Sequence, residues 1–262
     1  MKPAASVPLD IRLMNMTATL LACVFVLLSI GAGLWWWLRH PMFSISAITV
    51  QGEVTRNNAV TLKANVVPHL NGNFFTLNLD DARTVFESVP WVRSAVLHRD
   101  FPNRLRAQLL EHQPMALWGE DGANTMINQQ GQVFEANVED LDVDGLPRFK
   151  GPPAQSQEVM QMYRYLKPIL EAADLDITQL ELTARGSWRL QTASGALLEL
   201  GRGNTAEVGA QVQRFLRTLS QVTSRYGRTP SSLAGADLRH KDGYALRLKG
   251  VSTLDVDPRK KP

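Results

Sequence analysis

Five histidines, His40, His69, His98, His112 and His240, are the chain's main candidates for metal or acid–base chemistry. None sits four residues from another, so no helix can present a His-x-x-x-His pair. The single cysteine, Cys23, lies inside an apolar run and cannot help. A zinc site would need distant histidines and carboxylates to converge. Glu135, Glu139, Asp140, Asp142 and Asp144 can attract a cation, but they lack the glycine-centred loop and terminal glutamate that hold calcium. They read as a solvated loop. Ser187, Ser194 and Ser220 have no nucleophile turn around them. Gly201-Arg202-Gly203-Asn204-Thr205 is neither a P-loop nor a full dinucleotide fingerprint, and reads as a tight strand-to-helix turn. The expectation is a protein with no catalytic residues, no cofactor and no metal.

Charge points the same way. Lys and Arg total 28 against 25 acidic residues, a net charge of +3 over 262 residues. Nucleic-acid binding needs basic residues gathered on one surface. The densest basic run is Arg259-Lys260-Lys261, a solvated tail. Neither a nucleic acid nor a small-molecule substrate is expected. With one cysteine there is no internal disulfide, so stability must come from core packing.

Residues 13–38 carry no charge and suffice to cross a hydrocarbon layer, which takes about 20 residues. A cleaved signal has a shorter apolar region ending in small residues. This run ends in Trp35, Trp36 and Trp37, which suit the headgroup level, and then Arg39. Residues 18–38 are therefore expected to anchor the chain in the bilayer. Lys2 and Arg12 favour a cytoplasmic N-terminus. Residues 1–17 form a short head.

Two further parts must position whatever the chain binds. In the first, residues 43–50 read as a strand, 58–70 as a helix loosened by Pro68, and 71–73 as a turn. A second helix is capped by Asn78 or Asp80, has Ala82, Val85, Phe86 and Val89 on one face, and ends at Pro90. Residues 93–99 and the alternating segment 104–111 make a hairpin around Phe101-Pro102-Asn103. The order strand, helix, helix, strand, strand predicts a helical layer on a three-stranded sheet. Arg93, Arg99, Arg104 and Arg106 are expected on its outer side.

Residues 114–118 read as a connection to the second part. There, short strands at 124–128 and 131–134 precede a helix around Val159, Met162, Tyr163, Leu166 and Leu170, with a kink at Pro168. Segments 177–183, 188–192 and 196–200 read as an antiparallel meander. A long helix follows, with Thr205 as its cap. Residues 236–240 and 244–248 read as the final strands, joined by Lys241-Asp242-Gly243. With Pro258 and the basic tail beyond, the last strand is expected at an open sheet edge, a template for a partner's strand. Tyr244 and Leu246 would then set register.

Three stretches, in this order and spacing, resemble the FtsQ/DivIB family of bacterial cell-division proteins. The first is Ile45-x-x-Ile48-x-Val50-x-Gly52. The second is Val89-Pro90-Trp91-Val92, then Val96-x-x-Arg99-x-x-Pro102-x-x-Leu105 and Glu111-x-x-Pro114-x-Ala116-x-Trp118. The third is Leu182-Thr183-Ala184-Arg185-x-x-Trp188-x-Leu190, Leu200-Gly201-Arg202-Gly203 and Asp237-Leu238-Arg239-x-x-x-Gly243. The tail departs from the pattern, with His240 where many relatives carry tyrosine.

The resemblance implies an α+β chain: membrane helix 18–38, POTRA domain 43–113, β domain 114–250 and flexible tail 251–262. It implies a non-enzymatic divisome scaffold in the bacterial inner membrane at the septum. Its partners would be FtsB and FtsL in a periplasmic heterotrimer that helps control septal peptidoglycan synthesis, with FtsK, FtsW and FtsI beyond them. The family's FtsB contact maps to Arg239, His240, Gly243, Tyr244, Ala245, Leu246, Arg247 and Leu248, with Arg185 nearby. An FtsK contact maps to Arg93, Val96 and Arg99. The alternatives are a general envelope tether and a POTRA-type transport or secretion component.

Overall fold

The computed structural model describes residues 9–56, 59–70, 72–137, 145–240 and 243–251. Residues 1–8 of the expected head, the helix start Asn58, turn residue Asn71, the acidic residues Glu139, Asp140, Asp142 and Asp144, turn residues Lys241-Asp242 and residues 252–262 of the expected tail lie outside the described residues. The chain divides into two compact units, Met1–Glu111 and His112–Pro262.

The first unit begins with α1, Leu9–Leu38, a 30-residue helix. At 1.5 Å per residue it is about 45 Å long, and it is long and apolar enough to cross a membrane. Thr17 and Thr19 do not break it, because their hydroxyls donate to carbonyls one turn back, including Asn15 O at 2.7 Å. A short 3-10 turn, Pro41–Phe43, follows where the sequence reading starts a strand. The strand itself, β1, is Ala47–Glu53.

Next come α2, Ala59–Val66, and α3, Leu79–Glu87. Pro68 falls in a 3-10 turn after α2, because it cannot donate the next helical bond. Asn78 caps α3 by accepting from Asp80 N. Strands β2, Val92–Asp100, and β3, Arg104–Glu111, complete a sheet of order β1-β3-β2. β1 runs parallel to β3, and β2 antiparallel. Leu62, Val66, Ala82 and Phe86 of the helices pack on Ala95, Leu97, Leu105, Ala107 and Leu109 of the sheet. Gly52 is required in β1: a side chain there would run into the Leu109 carbonyl.

The α3–β2 corner is a tight turn closed by Val92 N on Val89 O. Pro90 takes the position after Val89, and Trp91 follows with φ 71°. That left-handed position normally goes to glycine. Trp91 is held there because its ring is buried, with Arg56 stacked 4.5 Å above it.

The second unit is a nine-stranded mixed sheet of order β12-β11-β10-β9-β8-β7-β4-β5-β6. Its strands are β4 Pro114–Trp118, β5 Thr125–Asn128, β6 Val133–Glu135, β7 Arg148–Lys150, β8 Ile177–Leu182, β9 Ser187–Thr192, β10 Leu197–Arg202, β11 Leu233–Asp237 and β12 Ala245–Leu248. Residues 114–118, read as a connection, form β4 inside the sheet, parallel to β7. The β8–β9–β10 meander is antiparallel, as its alternation predicts. Helices α4, Ser156–Glu171, and α5, Thr205–Arg225, contribute Val159, Met162, Leu166, Val208, Val212 and Phe215 to the same core as sheet residues Leu180, Trp188, Leu190 and Leu198. Pro168 lies within the last turn of α4.

The cap of α5 is Asn204, not Thr205. Its side chain takes Ala206 N and Glu207 N, and Glu207 reaches back to Asn204 N at 3.0 Å. This reciprocal box satisfies more orphan donors than Thr205 could. Gly203, at φ 142°, leads into it, and a β-carbon there would press on Glu207.

Candidate functional site at the sheet edge

Among the described residues β12 pairs only with β11, so its other side is an open edge. The pairs are Asp237 with Ala245, Ala236 with Leu246, and Gly235 with Arg247. In an antiparallel pair, alternate residues of an edge strand turn their N–H and C=O groups away from the sheet.

Side chains on β12 divide by parity. Leu248 is buried, and Tyr244 and Leu246 pack against the main core. Tyr244 is pinned to α5 by its ring against Phe215, 5.0 Å between centroids, and its hydroxyl 2.6 Å from Thr218 Oγ1. Ala245 and Arg247 are exposed on the opposite face. Tyr244 and Leu246, the side chains expected to set register for an added segment, pack inward, and the exposed side chains of the strand are Ala245 and Arg247.

The strand before it ends sooner than the sequence reading of 236–240. β11 stops at Asp237, whose carboxylate accepts Arg239 N at 3.0 Å and the Arg239 guanidinium at 2.9 and 2.6 Å. This local ring diverts the backbone from the ladder. Leu238 still donates to Glu199 O at 2.8 Å. The hydrogen bonds from Arg239 hold the Asp237 carboxyl down to about 2 against an ordinary 3.8.

Two open clefts adjoin here. One, of about 660 Å³, is lined by His240, Gly243 and Tyr244 together with Gln211, Arg214 and Thr218 of α5. The other, of about 790 Å³, brings Arg185 and Arg239 together with Glu181, Arg189 and Glu199. Arg185 stands exposed in the β8–β9 turn, closed by Gly186 N on Thr183 O. Arg189 spans Glu199 at 3.0 Å and Glu181 at 3.9 Å. The polar face of α5 is the part that the sequence reading missed. Gln211, Arg214 and Thr218 lie at helical spacing beside the apolar stripe, which was the available signal. Gln211 lines both clefts, and its buried Oε1 has no hydrogen-bond partner among the described residues.

The three residues grouped on the first unit are less united. β2 is an edge strand, and Val96 is exposed on its outer face. Arg99 has the parity of Ala95 and Leu97 and donates to Leu77 O at 2.6 Å, on the helix side. Arg93 is half-buried at the bulge between Val92 and Ser94. Arg104 and Arg106 face outward with Val96, and Arg99 is the member of the expected four-arginine outer face that turns away from it.

Comparison with known proteins matches residues 43–112 to the "POTRA domain, FtsQ-type" model and residues 116–239 to "Cell division protein FtsQ/DivIB, C-terminal". The chain is similar to the cell division protein FtsQ of Thiomonas arsenitoxydans, 37% identical over 94% of this chain and 90% of that one. It is 35% identical to that of Burkholderia pseudomallei, over 96% of this chain and 99% of the relative. It is 37% identical to that of Bordetella pertussis, over 91% and 92%.

Proposed function

The chain belongs to the FtsQ/DivIB family of cell-division proteins, and on that premise we propose that it is a non-enzymatic divisome scaffold that receives an FtsB segment on β12. FtsL completes a heterotrimer with it and FtsB, and FtsK, FtsW and FtsI are further partners. α1 crosses the inner membrane at the septum, with the N-terminus in the cytoplasm and both units in the periplasm. The observation that carries the reading is the open edge of β12 at one end of a nine-stranded sheet. Backbone groups along it supply affinity by strand addition. Arg185, Arg239, His240, Gly243 and Arg247 frame the strand, and the three arginines among them attract acidic side chains of the partner segment.

The test is binding of the full chain in nanodiscs to the FtsB periplasmic segment, with Leu246→Pro alongside. Proline deletes a ladder donor and its ring clashes with a neighbouring strand. A loss of about a hundredfold, roughly 3 kcal/mol, is expected with the circular-dichroism spectrum retained. Undiminished binding by the folded variant removes β12 as the docking strand.

A transport or secretion component is the weaker reading. A membrane-spanning strand needs about 9–11 residues, whereas the strands of the second unit run three to six.

A further inference from the structure

The end of α1 is built into the first unit by a buried polar joint. Asn73 donates to Leu38 O at 2.6 Å, while its Oδ1 accepts Phe75 N and Thr76 N, both at 3.0 Å. Phe74 N donates to Phe43 O at 2.8 Å, and Ser46 N to Asn103 O at 3.0 Å. The last bond ties the segment leaving the helix to the β2–β3 tip.

Across this joint runs a chain of edge-to-face rings. Trp37 meets Phe43 at 5.1 Å, Phe43 meets Phe75 at 4.9 Å, Phe75 meets Phe74 at 5.2 Å, and Phe74 meets Phe101 at 6.0 Å between centroids. Phe43 and Phe74 are buried and give the chain rigidity. Its outer members are not: Phe75 is 40% exposed and Phe101 74%, and Met42, next in sequence to Phe43, is 63% exposed. A contiguous apolar patch of this kind marks a surface that something covers.

We propose that this aromatic chain is a second membrane contact, which seats the β2–β3 tip in the headgroup layer of the bilayer that α1 crosses. The inference rests on the spanning reading of α1. The occupant is lipid because the patch is continuous with Trp37, the last of three consecutive tryptophans, side chains suited to the level where the span ends. Arg39 lies over the Trp35 ring at 4.2 Å, at the same end of the helix, a position from which a guanidinium meets phosphate while its stem stays on apolar surface. The tip itself bears no uncompensated acid: Asp100 is held by Arg106 at 2.9 Å. Phe101 is thus an apolar wedge beside cationic residues, the composition that favours an interface with anionic lipid.

Cys23 is the only cysteine, which makes site-specific labelling direct. The full chain carrying Cys23→Ser is spin-labelled at Phe101→Cys, and separately at Phe75→Cys so that the Phe101 ring is also tested intact. The chain is reconstituted into vesicles of phosphatidylethanolamine and phosphatidylglycerol that contain no other protein. Ile30→Cys reports the span, and Val96→Cys the water-facing sheet. Collision with a water-soluble nickel chelate should fall at least about threefold at positions 75 and 101 relative to 96, with oxygen collision raised. Labels at 75 and 101 as open to nickel as the one at 96, with position 30 protected, overturn the membrane contact and leave the patch to a protein. Nickel access at position 30 as well overturns the spanning reading and this inference with it.

Discussion

Asp237 and Arg239 stand two residues apart where β11 gives way to the cleft, and their mutual grip is both structural and electrostatic. The folded carboxyl titrates at about 2, below its ordinary 3.8. A depressed carboxylate favours the folded state above its unfolded pKa, and the benefit is lost as pH falls from about 3.8 through about 2. Carboxyl chemical shifts followed by NMR should place the Asp237 midpoint near 2, and Arg239→Gln should return it towards 3.8. A midpoint unmoved by that substitution would mean that Arg239 is not the cause. The same pair explains a limit of sequence reading. Asp237, Leu238 and Arg239 all suit a strand by pattern, and only the carboxylate's capture of Arg239 N ends it. Side-chain-to-backbone competition of this kind has no periodicity to detect.

At the scale of elements, β12 separates two roles by side-chain parity. Tyr244 serves the fold, so Tyr244→Phe should cost about 1 kcal/mol of stability in urea unfolding through loss of its bond to Thr218. Arg247 serves the surface, so Arg247→Glu should leave unfolding within about 0.5 kcal/mol and weaken capture of the FtsB segment severalfold. Equal effects of the two changes on both readouts would refute this division. The β8–β9–β10 meander, α4 and α5 were legible because each carries a long alternating or helical pattern, and the four-residue final strand because Tyr244 to Leu248 alternates after a turn signal. β7 was not, since three residues, Arg148–Lys150, are too few to show a period of two. β4 was hidden by Pro114, which reads as a connection but stands at the first position of the strand, where proline is tolerated. Of the arginines of the first unit, Arg99 was misassigned, since it shares the inward parity of Leu97.

For the whole molecule, the division at Glu111 gives two hydrophobic cores, one in each unit. Glu111 belongs to the first, where its buried carboxylate accepts Thr55 N at 3.0 Å and Arg56 N at 3.1 Å. Glu111→Ala orphans both donors and should lower the stability of that unit by about 1–3 kcal/mol. Hydrogen exchange should register the loss in β1 and β3 and leave protection of β8–β10 unchanged. A uniform loss across the chain would instead make the cores one cooperative body. The order of elements and the POTRA-like arrangement were visible in the sequence, but the clefts were not, because they are assembled from the β8–β10 meander, α5 and the residues Leu238, Arg239, His240, Gly243 and Tyr244 between the last two strands, which lie apart along the chain. The four-residue length of β12 has a further consequence for recognition. So short an edge offers few backbone bonds, and each is worth only about 1 kcal/mol net. In the proposed docking, anchoring by α1 would offset this by holding scaffold and partner at one membrane surface, where the effective concentration of each for the other rises to about the millimolar range. An encounter that is weak and reversible in solution can then become a nearly filled complex at the bilayer, and one that disperses once the local density of partners falls.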